Sequence, residues 1–282
     1  MKIKKIAVIG AGTMGAGIAQ VAAQGGYRVI IQDIEQKLVD RGLSVIKQNL
    51  DRAISKGKLT LDESELIMAR ITSSVDLKDL QDSDLIIEAI IENMDIKKKL
   101  FIELDKVCKS ETIFASNTSG LSITEMAAVT ARPQQVIGMH FFNPVPVMKL
   151  VEIIHGSETN EEVVQLAHTV AKNMGKETIT VKEAPLFAVN RILVPMMNEA
   201  MFVLMEGIAS AEDIDKGMCL GANQPIGPLA LSDLVGLDTL LFVMETLYRE
   251  TSDSKYRPCP LLKQKVRAGH LGRKSGRGFY AY

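Results

Sequence analysis

The chain contains no tryptophan, and only 5% of its 282 residues are aromatic. It has three cysteines, Cys108, Cys219 and Cys259, an odd number with no spacing of the metal-binding kind. Neither a disulfide framework nor a zinc site is therefore indicated, and reduced thiols in a cytoplasm are expected. The formal net charge is −1, so the basic excess typical of proteins that bind nucleic acid or anionic membranes is missing.

Long apolar runs are missing as well. The longest one after the N-terminus, residues 192–205, is interrupted by Pro195, Asn198 and Glu199 and is too short and too polar to cross a bilayer. Three lysines near the N-terminus precede an apolar stretch, as in a secretion signal, but cleavage there would remove a glycine pattern that has a better explanation. With 46% hydrophobic and 24% charged residues, the composition is typical of a soluble globular protein of one or two domains.

The glycine pattern G-x-G-x-x-G, from Gly10 to Gly15, lies between a predicted strand and a predicted helix. A second strand, residues 27–32, follows the helix and leads to Asp33. In this context the pattern is a dinucleotide fingerprint, because the glycines let the backbone approach a pyrophosphate and the helix N-terminus offers N–H groups to it. The Asp33 carboxylate suits ribose hydroxyls and repels a 2'-phosphate, so NAD is favoured over NADP.

Strand and helix patterns alternate up to residue 184, and helices dominate after it. This predicts an α/β fold: an NAD-binding Rossmann domain over residues 1–184, with a doubly wound, mostly parallel sheet and a helical excursion around residues 35–69, then an all-helical domain over residues 185–282. Broad apolar faces in the second domain predict a homodimer that forms through it. The second domain is also assigned to substrate binding. The later predicted strands cover residues 71–75, 85–89, 112–116, 136–142, 147–154 and 178–181. In the second domain one long helix is predicted to begin at Pro185, and further helices are predicted over residues 211–220, 229–248 and 260–267.

A histidine and a glutamate stand at the two ends of an apolar segment, His140 to Glu152, that turns at Pro144 and Pro146. If the strands on either side of the turn pair, Glu152 reaches the ring of His140. A histidine held and charged by a carboxylate transfers protons near neutral pH. A core histidine satisfied by a nearby acid gives the same pattern, so this segment alone leaves both interpretations open.

Two basic segments also leave two interpretations open. The longest helix predicted in the first domain, residues 35–55, carries Lys47, Arg52 and Lys56 on one face, which suits either a solvated surface or a site for substrate phosphates. The glycine-rich, basic segment over residues 272–280 is either a flexible end or a segment that folds back towards an anionic ligand.

Six segments resemble the 3-hydroxyacyl-CoA dehydrogenase family, and together they span essentially the whole chain. The resemblance is strongest to the bacterial members that act on 3-hydroxybutyryl-CoA in butyrate metabolism. It implies an NAD-dependent oxidoreductase that interconverts acetoacetyl-CoA and (S)-3-hydroxybutyryl-CoA by hydride transfer. The segments are VIGAGTMGAGIAQ, ASNTSGLSITEM, GMHFFNPVPVMKLVEII, VNRILVPMMNEA, GANQPIGPLALSDLVGLD and GRKSGRGFY.

The same resemblance implies roles for individual residues. His140 is then the catalytic acid/base, and Glu152 is its charge partner. Ser119 and Asn190 surround the reacting oxygen and donate hydrogen bonds as charge builds there. The implied coenzyme A contacts are Asn49, Lys56 and Ser119, with Arg52 as a neighbouring candidate. The implied NAD contacts are Gly10, Ala11, Gly12, Thr13, Met14, Gly15, Asp33, Glu92, Lys97, Ser119, Asn143 and Lys274.

Three residues depart from the family's pattern. Leu186 stands where glycine is usual, Gly120 where a second serine is common, and Ser232 where glycine is common. The bulk of Leu186 is expected to affect how the helical domain closes over the substrate. Replacement by glycine is expected to leave the fold intact and to raise turnover.

Two other functions are less consistent with the residues present. Dehydrogenases of free 3-hydroxy acids typically use a lysine as acid/base, and no matching lysine motif follows the glycine turn. A protein that only binds NAD would not need Ser119, Asn190 or the pair of His140 and Glu152.

Overall fold

A computed structural model describes residues 2–282 of the chain. These residues form two compact units, one that ends at Ala184 and one that covers Pro185–Tyr282. Each unit has its own core of buried apolar side chains. Within the described residues, no helix is long and apolar enough to cross a membrane.

An eight-stranded sheet forms the centre of the N-terminal unit. Its strands are β1 (Lys5–Ile9), β2 (Arg28–Gln32), β3 (Ile71–Ser74), β4 (Leu85–Glu88), β5 (Ile113–Ser116), β6 (Val136–Phe141), β7 (Leu150–His155) and β8 (Glu177–Lys182). They lie in the order β3-β2-β1-β4-β5-β6-β7-β8, and every neighbouring pair is parallel except β6 and β7. The strand order reverses at β1, and ligands of such sheets bind at this switch point, beyond the carboxyl ends of the strands.

Helices cover the sheet in the first unit and make up the second. The first unit contains α1 (Thr13–Gln24), α2 (Gln36–Ser55), α3 (Leu61–Ala69), α4 (Met94–Val107), α5 (Ile123–Ala127) and α6 (Glu161–Asn173). The second contains α7 (Val189–Met205), α8 (Ala211–Gly221), α9 (Pro228–Val235), α10 (Leu237–Thr251) and α11 (Pro260–Arg267). The predicted fold class is confirmed, and α2 and α3 form the predicted helical excursion between β2 and β3.

The strand predicted from Val147 begins only at Leu150. The N–H groups of Val147 and Met148 both donate to the carbonyl of Pro144, at 2.9 Å. These bonds close a turn, so the chain becomes extended only beyond it.

Two predictions about the helices of the second unit were wrong. The helix predicted to begin at Pro185 begins at Val189. The helix predicted over residues 229–248 consists of two helices, α9 and α10, which are separated at Gly236 with a φ of 101°. A residue in that backbone conformation cannot continue an α-helix.

The C-terminal segment is fixed against α9, so the interpretation as a flexible end was wrong. The buried carboxylate of Asp233 accepts hydrogen bonds from the N–H groups of Phe279 and Tyr280, each at 2.9 Å. A Cβ atom on Gly278 would collide with this carboxylate, so only glycine fits there. Gly278, like Gly272, which lies against the backbone of Asp233, therefore serves close packing within the C-terminal unit.

Leu186 occupies a backbone conformation that favours glycine. Its φ is 62° and that of Phe187 is 59°, in the left-handed region that side chains rarely adopt. The Leu186 side chain is nevertheless only 3% exposed and packs in the core of the C-terminal unit. Leu186→Gly would therefore remove a buried side chain, which the expectation of an unaffected fold did not take into account. The backbone strain of a leucine at a positive φ explains why glycine is usual at this position.

We predict that Leu186→Ala destabilises the protein more than Leu186→Gly. Loss of the buried leucine costs about 2–5 kcal/mol in either variant. Glycine alone relieves the positive φ, with a net advantage of about 0.5–1 kcal/mol after its larger unfolded-state entropy is subtracted. Chemical denaturation measures both. Ala188→Gly, at a φ of −97°, is the control and should only destabilise; a Leu186→Gly variant less stable than Leu186→Ala would contradict the strain.

Candidate active site

The glycine-rich turn leaves open space at the carboxyl edge of the sheet. Gly10 has a φ of 95°, and a Cβ atom there would lie 2.6 Å from the carbonyl oxygen of Ala89. A Cβ atom on Gly15 would collide with the carbonyl of Gly10, because α1 packs directly on the turn. At Gly12, by contrast, a Cβ atom would meet nothing within 4 Å. Gly10 and Gly15 thus shape the turn, and Gly12 leaves room for a ligand.

The N-terminus of α1 suits an anion. The helix begins at Thr13 after Gly12, with no side-chain cap and no acidic residue in its first turn. Six other helices of the described residues also lack a side-chain cap, so the relevant feature is the position of this N-terminus directly after the glycine turn. The first N–H groups of α1 and the partial positive charge of its N-terminus therefore face the space beside Gly12, where a pyrophosphate would fit.

Asp33 is held beside the glycine turn. It directly follows β2, and its Oδ2 accepts a hydrogen bond from the N–H of Ala11 at 2.7 Å. Its Oδ1 accepts one from the N–H of Ile34, also at 2.7 Å. These two bonds fix the carboxylate at the position where a ribose bound on this turn would present its hydroxyls.

An apolar cleft of about 680 Å³ lies at the same edge of the sheet. Three of its apolar side chains are exposed, Ile34 at 80%, Val75 at 47% and Ile96 at 40%. Exposed isoleucine and valine side chains of this kind suit the flat faces of an adenine. The other lining residues are the apolar Ile9, Leu77, Ile90 and Leu100 and the polar or charged Gln32, Asp76, Lys99 and Glu103.

His140 and Glu152 face each other across β6 and β7. The antiparallel register pairs them directly, as the sequence predicted, and His140 Nδ1 lies 2.7 Å from Glu152 Oε2. Both side chains are buried, at 4% and 0% exposure. Buried Asn117 accepts a hydrogen bond from the N–H of Phe141 at 2.9 Å, which holds the end of β6 next to the histidine. The carboxylate therefore orients the imidazole ring at the carboxyl end of β6, the edge that also carries the glycine turn.

Ser119 lies on an exposed loop after β5. Its N–H donates to Glu92 Oε1 at 3.0 Å, and the hydroxyl of Thr118 donates to the same oxygen at 2.5 Å. The cap of α5 is Ser122, whose hydroxyl accepts from the N–H of Glu125. A role of Ser119 as that cap is thereby excluded, and its hydroxyl is left at the surface of the loop.

The two predicted NAD contacts Glu92 and Lys97 belong to one ion cluster. Lys97 is only 1% exposed. Its Nζ lies 2.5 Å from Glu88 Oε1 and 3.3 Å from Glu92 Oε2. Glu88, which is fully buried, was missed at the level of sequence, because one acid at the end of an apolar strand carries no motif.

The turn that carries Asn143 is held by a buried lysine. Lys176 Nζ donates to the carbonyls of Val145, at 2.5 Å, and Met148, at 2.9 Å, and burial lowers the pKa of this lysine. Gly17 of α1 lies against the same turn, since a Cβ atom there would be 2.7 Å from Val145 Cβ. Asn143 itself is exposed. Sequence reasoning found Asn143 but assigned no role to Lys176 or Gly17.

Three of the four predicted coenzyme A residues lie at the C-terminal end of α2, where Lys56 is the C-cap residue; the fourth, Ser119, is in the loop after β5. Asn49 is half-buried, and its side-chain nitrogen donates to Gln20 Oε1 on α1 at 3.1 Å. Arg52 and Lys56 are exposed. Two cations at the C-terminal end of α2 are thus exposed to solvent. Their role in binding coenzyme A stays a prediction.

Two predicted site residues lie in the C-terminal unit. Asn190 is half-buried in the first turn of α7. Lys274 forms an ion pair with Asp238, with 2.5 Å between its Nζ and Oδ1 of the aspartate. Their roles towards substrate and cofactor also stay predictions.

Together these features define a Rossmann-type dinucleotide-binding unit with a buried histidine–carboxylate pair at the cofactor edge of its sheet, the arrangement of a nicotinamide-dependent dehydrogenase. Residues 5–184 match the family model for the NAD binding domain of 3-hydroxyacyl-CoA dehydrogenase, and residues 187–282 match the model for its C-terminal domain. The chain belongs to the 3-hydroxyacyl-CoA dehydrogenase family. Its cofactor is NAD, which the open space at Gly12, the uncapped α1 and the apolar cleft all fit.

Named relatives match over essentially their whole length. The probable 3-hydroxybutyryl-CoA dehydrogenase of Bacillus subtilis is 52% identical over 282 residues, with 100% of this chain and 98% of the relative covered. The 3-hydroxybutyryl-CoA dehydrogenase of Clostridioides difficile is 50% identical over 278 residues, with 99% of each covered. The crystal structure of (S)-3-hydroxybutyryl-CoA dehydrogenase from Ralstonia eutropha matches with a TM-score of 0.98 and 51% identity, covering 100% of this chain and 99% of that one.

We predict that Asp33→Asn reduces the preference for NADH over NADPH by about tenfold or more. The amide keeps an acceptor for the N–H of Ala11 but loses the charge that repels a 2'-phosphate and binds ribose hydroxyls strongly. Fluorescence titration with both cofactors measures the ratio. Asp40→Asn, at an exposed site on α2, is the matched control. An unchanged ratio in Asp33→Asn would show that this carboxylate does not select the cofactor.

Proposed function

We propose that the protein uses the His140–Glu152 pair to interconvert acetoacetyl-CoA and (S)-3-hydroxybutyryl-CoA with NAD. The observation that carries this proposal is the buried contact of 2.7 Å between the two side chains at the dinucleotide edge of the sheet. The substrate is inferred from relatives about half identical to this chain that are named for that reaction.

His140 is the acid/base in this proposal. With Nδ1 directed at Glu152, Nε2 is the ring atom that exchanges a proton with substrate. Bound NADH supplies a hydride to the ketone carbon, and protonated His140 gives its proton to the ketone oxygen; in the reverse direction the neutral ring accepts the proton of the hydroxyl. Glu152 keeps the ring oriented and stabilises its charged form.

Hydrogen-bond donors assist the charge change on the substrate oxygen. Ser119, on the exposed loop after β5, and Asn190, in the first turn of α7, are the residues we assign to this role. Donors aimed at an oxygen that becomes negative stabilise the transition state more than the ground state. Asn143 and Lys274 are assigned to the cofactor, together with the glycine turn and the Glu92–Lys97 cluster.

Arg52 and Lys56 on α2 are assigned to the phosphates of coenzyme A, with Asn49 beside them. Both cations are exposed and lie four residues apart, on one face of the helix. Phosphate groups are bound well by arginine and lysine. This face therefore suits the charged end of the substrate, and the thioester end is left for the histidine.

We also propose that the protein acts as a homodimer in the cytoplasm. The C-terminal unit exposes large apolar side chains, among them Ile192 at 72%, Leu220 at 77% and Phe242 at 55%. A second copy would remove such surface from water. All three cysteines are free thiols, which suits a reducing compartment. Sedimentation that finds only monomer at micromolar concentration would count against the dimer.

The decisive assay is NADH oxidation with acetoacetyl-CoA, beside acetoacetate and a longer 3-ketoacyl-CoA. Oxidation with the short thioester is expected. Activity with acetoacetate alone would indicate a dehydrogenase of free acids instead, and no activity with any thioester would indicate a protein that only binds NAD.

We predict that His140→Gln lowers turnover with acetoacetyl-CoA by about 10²–10⁴-fold, because glutamine cannot transfer a proton. NADH binding, measured by fluorescence, should be retained. His168→Gln is the control for a histidine substitution outside the proposed site, because the ring nitrogens of His168 contact Thr178 and Thr180 on β8. Near-normal turnover in His140→Gln would rule this residue out as the acid/base.

We predict that Arg52→Ala and Lys56→Ala mainly raise the KM for acetoacetyl-CoA and leave kcat nearly unchanged, because they remove contacts that ground state and transition state share. An acetoacetyl thioester of pantetheine, which lacks the nucleotide phosphates, is the control and should be used equally well by wild type and variants. Equal losses with both thioesters would show that these side chains do not contact the coenzyme A phosphates.

A further inference from the structure

We propose that Glu88 is a positioning residue that fixes Lys97 and, through it, the loop of Ser119. Glu88 is the last residue of β4, next to the switch point of the sheet, and its side chain is 0% exposed. No motif or family resemblance assigned it a role. The inference rests on the proposed function, in which Ser119 and Lys97 contact substrate and cofactor.

Three donors hold the Glu88 carboxylate in one place. Oε1 accepts hydrogen bonds from the N–H of Ile90 at 2.7 Å and from Lys97 Nζ at 2.5 Å. Oε2 accepts one from the hydroxyl of Ser116 at 2.6 Å. A buried carboxylate is tolerated only with such partners, and the same bonds leave it no alternative orientation.

One route from Glu88 to the Ser119 loop passes through the lysine. Lys97 Nζ lies between Glu88 and Glu92, 3.3 Å from Oε2 of the latter. Oε1 of Glu92 accepts from the N–H of Ser119 at 3.0 Å and from the hydroxyl of Thr118. Glu92 is 36% exposed, so its position depends on these two donors at one oxygen and on the lysine at the other.

A second route passes through Ser116. Its hydroxyl donates to Glu88 Oε2 and accepts from the N–H of Thr118 at 3.2 Å. The two oxygens of Glu88 thus reach the same loop from two sides, one through an ion pair and one through a hydroxyl. Through these two routes a single buried anion contributes to the position of the loop that carries Ser119.

The charges explain why the lysine needs Glu88. Lys97 is the one cation between two carboxylates, Glu88 inside and Glu92 at the surface. Without the inner charge, the ammonium is attracted only outwards, to Glu92. Glu92 would then be drawn away from the N–H of Ser119 towards Lys97. Glu92 and Lys97, the two residues assigned to NAD, would be displaced together.

The test is Glu88→Gln, compared with Asp84→Asn. Glutamine keeps the shape of the side chain but removes the negative charge that faces Lys97. Its single amide oxygen can accept from Ser116 or from Ile90 and Lys97, but not from both sides. We expect the dissociation constant of NADH to rise, and kcat/KM with acetoacetyl-CoA to fall, by about 10- to 100-fold. Asp84 precedes β4 at the opposite edge of the sheet and also pairs with a lysine, Lys109 at 2.5 Å. Asp84→Asn should lower thermal stability and leave both kinetic and binding constants unchanged.

A double-mutant cycle separates positioning from stability. If Glu88 acts through Lys97, then Glu88→Gln should add little to the loss of NADH affinity already caused by Lys97→Met. Fully additive losses, or a Glu88→Gln variant that behaves like Asp84→Asn, would overturn the proposal. Because NADH affinity is measured without substrate, this result stands even if the wild type proves inactive on thioesters, which would overturn only the proposed function.

Ser116→Ala provides a second variant should Glu88→Gln not fold. It removes one donor to Glu88 and the acceptor for the N–H of Thr118. A smaller loss of kcat/KM, about threefold or more, is expected in the same direction. Unchanged kcat/KM and unchanged NADH affinity would overturn the role of Glu88.

Discussion

The direct pairing of His140 with Glu152 is the interaction on which the rest of the site depends. It exists because β6 and β7 are the one antiparallel pair in an otherwise parallel sheet, with a register that places the two residues opposite each other. A buried carboxylate requires a donor, and a buried histidine requires a partner that fixes its ring. Each side chain meets the requirement of the other, and the result is an imidazole ring held in one orientation at the end of a strand.

Parallel strands bring the remaining groups to the same edge. The glycine turn follows β1, Asp33 follows β2, Glu88 ends β4 and Ser119 follows β5. Residues that are far apart in sequence therefore lie along the same edge of the sheet, at the carboxyl ends of the strands. Gly17 adds a direct link, because its missing side chain lets α1 pack against the turn between β6 and β7.

The features that sequence predicted are those with a local signature. The glycine turn, the buried strands and the His140–Glu152 pairing all follow from spacing over a dozen residues or fewer. Glu88 and Lys176 escaped prediction, because their meaning depends on partners in other elements: Ser116 on the next strand for the first, the carbonyls of a distant turn for the second. The strain at Leu186 was missed for another reason, since a backbone angle leaves no trace in composition or periodicity.

The central claim is that His140 exchanges a proton with the substrate oxygen while Glu152 holds its ring. A crystal structure of the protein with NAD and 3-hydroxybutyryl-CoA bound measures this most directly, through the distance from His140 Nε2 to the oxygen on C3 of the substrate. The account predicts hydrogen-bond contact, about 2.6–3.2 Å, with Nδ1 still on Glu152. A substrate oxygen bound to a different titratable side chain, with the imidazole out of reach, would contradict it.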